Sequence, residues 1–162
     1  GPSFVGPEAG AYQLEAISDA EVTVLTVATD LKVLTVNVGV GEGLLIRGNF
    51  RKSGGAAAAV SLGLKANATA VIANQAVTAS SDAVTQGYFE ILLWQQSTSY
   101  LRGGRLFAES YDTVASATTT HLPLDTVMPN VALTSVTITG LSASVSVTLG
   151  IRDVVAYRIL TS

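Results

Sequence analysis

The sequence predicts an all-β protein packed as a sandwich, and three observations carry that expectation. Apolar residues at the helical spacing i, i+3, i+4, i+7 are hard to find, so no amphipathic helix is signalled. β-branched residues instead recur in short runs separated by clusters of Gly, Asn, Asp or Ser, the punctuation of strands and turns. Finally, residues 21–29 (EVTVLTVAT), 44–50 (LLIRGNF), 88–95 (YFEILLWQ) and 153–160 (DVVAYRIL) carry Val, Ile, Leu or aromatic groups at both odd and even positions. A sheet wetted on one side alternates apolar with polar residues, so two apolar faces ask for two buried surfaces. One is the sandwich core, and the other is assigned to a neighbouring subunit.

In chain order, strands are expected at residues 21–29, 32–38, 44–51, 58–65, 70–74, 87–95, 100–110, 131–139, 144–151 and 154–160. About ten short strands with turns between them indicate a sandwich or jelly roll more than an open sheet. Gly39-Val40-Gly41-Glu42-Gly43 supplies positive-φ options for a reversal before the third strand, and Ser53-Gly54-Gly55 does the same after it. Gly140, Ser142 and Ala143 read as the turn of a hairpin, with Ser135, Thr137, Thr139, Ser144, Ser146 and Thr148 as its uncharged wet face. Gly103-Gly104, flanked symmetrically by Arg102 and Arg105, fits either a two-residue hairpin turn or a bulge in one long strand. Four alanines at 56–59 favour helix by propensity, whereas the glycines before them and the alternation after them favour a strand of small side chains.

At 162 residues the chain fits one domain. Residues 1–3 (Gly-Pro-Ser) look like the remnant of tag cleavage, residues 4–20 read as an N-terminal arm or linker, and residues 21–162 as a single β-sandwich domain. Charged residues make up 13% of the chain, about half the ordinary one-quarter, so the surface is unusually neutral and suits burial in an oligomer. The nine Lys and Arg are dispersed and the net charge is −3, which removes the electrostatic footprint of a nucleic-acid binder. The absence of cysteine removes disulfides, thiol nucleophiles and Cys-based metal sites. No apolar run approaches the roughly 18 residues of a membrane-spanning helix.

Catalytic constellations are weakly signalled. His121 is the only histidine, and no G-x-S-x-G nucleophile elbow accompanies it. Glu90 and Glu109 are the one carboxylate pair inside expected strands that a glycosidase reading would use; charges on solvated edges are the plainer account. Zinc and EF-hand patterns are missing, so neither a metal nor another cofactor is expected. Asn67-Ala68-Thr69 matches the N-glycosylation pattern. Strand alternation places Phe89, Ile91 and Leu93 on one face and Tyr88, Glu90, Leu92 and Trp94 on the other. Trp94, Tyr100, Arg102, Arg105 and Tyr111 are the expected ligand-binding residues, because aromatic groups beside arginines are the usual material of sugar stacking and interface anchors.

The alternation at residues 44–50, 60–65 and 88–100, with Ser/Thr-rich turns and a neutral surface, resembles phage and virus fibre or capsid-accessory domains. Gly87-Tyr88-Phe89 and the terminal Ala156-Tyr157-Arg158-Ile159-Leu160 are similar to trimeric TNF or C1q-type domains. The resemblance implies a jelly roll that assembles as a homotrimer, a non-enzymatic virion structural role at the virion surface or in the extracellular space, and contact with a host glycan or protein. Loops 74–86 and 112–130 at one end are the expected contact, because loops on rigid β scaffolds usually carry recognition. Other virion proteins would be met through the N-terminal side, with no nucleic acid partner and no membrane insertion. The alternative is a monomeric carbohydrate-binding module that uses Trp94 or Tyr100 as a stacking platform. If Trp94 serves a sugar, Trp94→Ala abolishes glycan binding and leaves the oligomer intact in light scattering; an oligomer that falls apart marks the residue as structural.

Overall fold

The computed structural model describes residues 12–23, 26, 28–54, 58–78, 85–94, 103–111, 119–124 and 131–160. Ten strands run through them: β1 (Tyr12–Thr23), β2 (Thr29–Val38), β3 (Gly43–Gly54), β4 (Val60–Ala66), β5 (Thr69–Ala76), β6 (Thr85–Trp94), β7 (Gly103–Tyr111), β8 (Thr119–Leu124), β9 (Leu133–Ser142) and β10 (Val147–Ile159). Pairing is antiparallel and nested: β1 with β10, β2 with β9, β3 with β6, β4 with β5. Because β10 also joins β3 and β9 also joins β4, the pairs merge into sheets of order β1-β10-β3-β6-β7-β8 and β2-β9-β4-β5. Without β7 and β8, which extend the larger sheet from β6, eight strands remain in two four-stranded sheets. That is the strand order of a jelly roll.

Alternation points one row of each strand into the gap between the sheets. Leu44, Ile46 and Phe50 of β3, Phe89, Ile91 and Leu93 of β6, and Leu149, Ile151 and Val154 of β10 are buried in one cluster with Leu34, Val36 and Val38 of β2 and Leu62 and Leu64 of β4. Each such side chain withdrawn from water contributes roughly 1.5–3 kcal/mol. The same phase carries Lys52 of β3 inward to zero exposure, and its side chain is not without a partner.

Turn chemistry follows backbone requirements. At Gly39–Glu42 the Glu42 N–H donates to the Gly39 carbonyl at 3.1 Å, and Gly41 adopts φ 93°, the positive value that a type II turn demands at its third position. The Glu42 carboxylate accepts from the Gly39 N–H at 2.7 Å. Between β4 and β5 a two-residue reversal places Asn67 at φ 47° and Ala68 at φ 70°, the arrangement of a type I′ hairpin. Asn67 also fastens the start of β9, its amide nitrogen donating to the Ala132 carbonyl at 2.9 Å and its oxygen accepting from the Thr134 N–H at 2.9 Å. The nitrogen that a glycan would occupy is therefore engaged within the protein.

Several expectations need correction. The strand expected at 21–29 is the end of β1 and the first residue of β2, and residues 12–20, expected as an arm, pair with β10 as part of the larger sheet. The strands expected at 144–151 and 154–160 are one strand, β10, with a register shift between Arg152 and Val155; Asp153 takes φ 52° there, the signature of an inserted bulge residue. β9 and β10 form no hairpin, since they belong to different sheets, and the segment between them is folded by Ser142, whose hydroxyl donates to the Ser144 carbonyl at 2.7 Å and accepts the Ser144 N–H at 3.0 Å. Gly103 and Gly104 pair with Trp94 and Leu93 in unbroken register, so they form neither a hairpin turn nor a bulge. Within 112–130, expected as a loop, Thr119–Leu124 forms β8 at the sheet edge. Of the alanine run, residues 56 and 57 lie outside the described residues, and Ala58 and Ala59 lead into β4 without helix.

Ala68 holds a left-handed conformation that costs an L-residue roughly 1–2 kcal/mol and glycine little. Ala68→Gly therefore raises stability, the gain reduced to about 0.5–1 kcal/mol by the greater unfolded-chain freedom of glycine, as read from the midpoint of urea unfolding.

Candidate functional site

The two outer faces of the sandwich differ in chemistry. On the smaller sheet, β9 runs between β2 and β4, and its Thr137 and Thr139 are each 5% exposed, against the expectation that they form a wet face. Lys65 of β4 and Asp30 of β2 lie opposite Thr137 and Thr139 respectively, and their ion pair at 2.8 Å closes over the strand between them. Thr139 donates to the Asn74 Oδ1 of β5 at 3.0 Å. This bond crosses β4 at Gly63, where any Cβ would sit 2.8 Å from the threonine oxygen and 2.9 Å from the asparagine oxygen. This face also carries Ser61, Thr35, Asn37 and Ser135, the partly exposed Leu141 opposite Ser61, and Val33, exposed at 54%.

The larger sheet presents the opposite composition. Its outward positions align across strands in rungs: Tyr157, Leu45, Leu92 and Arg105 form one, and Val155, Arg47, Glu90 and Phe107 the next. Leu45, Leu92, Val155, Tyr157 and Phe107 are all partly exposed, and Leu14, opposite Tyr157 on β1, is 55% exposed. The second apolar face expected from sequence thus belongs to β3, β6 and β10 of one sheet, not to every strand.

A compact polar and aromatic group lies within it. The Tyr88 hydroxyl donates to Glu90 Oε2, the Tyr88 and Phe107 rings lie 6.2 Å apart at 59°, and the Arg47 guanidinium sits 5.9 Å from the centre of the Tyr157 ring, within cation–π range. Burial first, and then the hydrogen bond to Glu90 and its negative charge, push the Tyr88 phenol up to about 12, with Arg47 pulling the other way. Because the folded protein holds this proton more tightly than the unfolded chain, the stabilisation is fully present below pH 10 and is lost as pH rises toward 12.

The sequence-derived site does not come together as one cluster. Arg105 is exposed on the outward side of β7, and the backbone of Trp94 ends β6 opposite Gly103, two residues from Arg105. Tyr111 is six residues farther along β7, about 20 Å at the rise of an extended strand, so one stacking platform cannot include both. Tyr100 and Arg102, and the side chains of Trp94, Tyr111 and His121, lie outside the described residues. Glu90 and Glu109 occupy adjacent strands, opposite Phe107 and Tyr88 respectively. Arg47, Tyr157 and Phe107 were missed because their partnership depends on register, although strand phase sets Arg47 outward in LLIRGNF.

No family model matches the chain, and no curated protein matches it. Among solved structures, the VP2 subviral particle of infectious bursal disease virus is 12% identical with TM-score 0.41, over 91% of this chain and 31% of that one. The T13 particle of the same virus is 12% identical with TM-score 0.40, over 91% and 30%. Peanut lectin in complex with a peptide is 10% identical with TM-score 0.41, over 99% and 96%. The chain thus spans about a third of the viral chains.

Of the five tyrosines in the chain, Tyr88 is expected to ionise late, near pH 12, in an ultraviolet absorbance titration of the folded protein. Glu90→Gln brings that phase to lower pH without restoring the ordinary value, since burial, the largest cause, remains.

Proposed function

We infer that this chain is a non-enzymatic structural domain of a virion, a fibre or surface protein that assembles as a homotrimer through the outward face of its larger sheet and uses loops at one end to contact a host. One observation carries the reading: partly exposed apolar and aromatic side chains, Leu45, Leu92, Phe107, Val155 and Tyr157 with Leu14 beside them, concentrate on the larger sheet, while the smaller sheet's outer face is mostly Ser, Thr and an ion pair, with Val33 and Leu141 its large apolar side chains. Contiguous apolar patches on monomers rarely exceed a few hundred Å², and Tyr, Phe and Arg are the residues enriched where protein surfaces meet. A second copy of the chain is the partner argued for, since the low charge of the whole molecule removes the like-charge repulsion that keeps copies apart. β6 begins and β7 ends at the end of the larger sheet marked by Gln86 and Tyr111, whereas β8 ends at the opposite end, where Leu124 faces Gly104; residues 79–84 precede the first end in sequence and 112–118 follow it, and these parts of the expected loops are the ones offered for host contact. Three weak sites held at one pole raise avidity without any new contact.

Multi-angle light scattering is expected to return three times the chain mass, and Leu45→Glu to return the single-chain mass with unchanged far-ultraviolet circular dichroism, because a carboxylate set between Leu92 and Tyr157 cannot be buried unpaired. A single-chain mass for the unmodified protein would overturn the assembly and favour a monomeric carbohydrate-binding module.

A further inference from the structure

The larger sheet's outward face changes character toward the end where β6 begins and β7 ends. Beyond the apolar rungs, the outward row of β3 continues as Asn49 and Arg51, β6 supplies Gln86, and the β10 bulge supplies Arg152 and Asp153; together they line a cleft of about 360 Å³. This lies within the range of about 300–1,000 Å³ typical of small-ligand sites. Arg51 and Arg152 are diagonal neighbours across the β3–β10 ladder, since Arg51 faces Gly150 and Asn49 faces Arg152, and both are exposed. Like charges on neighbouring strands are destabilising. Two of the chain's nine basic residues are thus gathered at one cleft.

The bulge contributes a second, independent feature. By inserting a residue at Asp153 with φ 52°, it turns both Arg152 and Asp153 outward while Ile151 and Val154 stay in the core. Bulges that re-aim side chains in this way are over-represented beside functional sites. Asn49 Nδ2 donates to Asp153 Oδ2 at 3.3 Å, which positions that carboxylate. The Arg51 side chain makes no hydrogen bond or ion pair among the described residues, and its planar fork of five donors borders the cleft.

We propose that this cleft binds an oxyanion carried on a sugar, with Arg51 and Arg152 gripping the anion, Gln86 and Asn49 meeting neighbouring hydroxyls, and the Asp153 carboxylate accepting from a hydroxyl. A guanidinium fork matches the geometry of both a carboxylate and a sulfate ester, and the amide and carboxylate groups around it suit a polyhydroxylated carrier more than a bare ion. The proposal names the ligand class for the host-contact part of the function inferred above. It does not depend on how many copies assemble, because every lining residue comes from one chain.

The test is calorimetric titration at low salt with a trigalacturonate, its methyl ester and an O-sulfated neutral trisaccharide, alongside light scattering in the same buffer. The unmodified protein is expected to bind the uronate or the sulfated sugar, and not the ester. Arg51→Gln and Arg152→Gln should each weaken binding by about tenfold, the scale of a charge-assisted hydrogen bond, while Glu90→Gln, away from the cleft on the same face, should leave it unchanged. Preference for uronate or for sulfate identifies which anion is read. No binding of either by the folded protein, equal binding of the methyl ester, full binding by the double arginine variant, or equal binding of an aspartate-rich peptide would overturn the proposal. A single-chain mass with binding retained would remove the trimer and leave the site; a trimer that binds no acidic sugar would do the reverse.

Discussion

The structure depends on nested antiparallel pairing in which the first strand meets the last, the second meets the ninth, and the third and fourth meet the sixth and fifth. Each pair is far apart in sequence except the innermost, so the sandwich closes only when both ends of the described chain are brought together. Such non-local pairing is slow to form, because loop-closure entropy is spent before the contacts reward it. Strand phase makes the closure worthwhile: once β10 lies between β1 and β3, the inward rows of all three face the same gap. Where phase and pairing conflict, the chain inserts a residue, as at Asp153, and keeps Ile151 and Val154 on the same side.

The same constraint explains why the two outer faces diverge. Each sheet has one face committed to the core, and the free face is left to whatever the alternate residues are. On the smaller sheet those residues are mostly short and hydroxylated, Val33 and Leu141 apart, and the polar ones are tied through Thr139, Asn74 and the Lys65–Asp30 pair. That exposed pair contributes at most about 1 kcal/mol, so its structural consequence is coverage of β9 more than energy. On the larger sheet the alternate residues include Leu, Val, Tyr and Phe, whose partly exposed state leaves apolar area without a partner among the described residues.

Much of this was legible in the sequence, and the losses have physical causes. The all-β class, seven of the strands and the split of residues 88–93 into an inward and an outward row follow from period-two alternation, which is a local property. The β10 bulge broke that period at Arg152-Asp153 and made one strand look like two. Thr137 and Thr139 were read as wet because threonine is polar, whereas their enclosure depends on side chains from β2, β4 and β5 that no local pattern announces. The hairpin at Asn67-Ala68 was hidden because alanine stands where glycine normally signals the turn. At the surface, aromatic and arginine identity suggested a cluster around Trp94 and Arg105, yet sharing a face is a matter of register, and register brought Arg47, Glu90 and Tyr88 together instead.

β8 closes the larger sheet on the side of β7, and it carries Pro123 opposite Arg105. An unpaired edge is a template on which another chain can add a strand, and proline, which has no amide hydrogen to offer, is one of the devices that blunt it. Growth in the plane of the sheet is discouraged on that flank while its broad surface remains open for stacking. An incoming strand would find one amide hydrogen fewer to pair with at this margin.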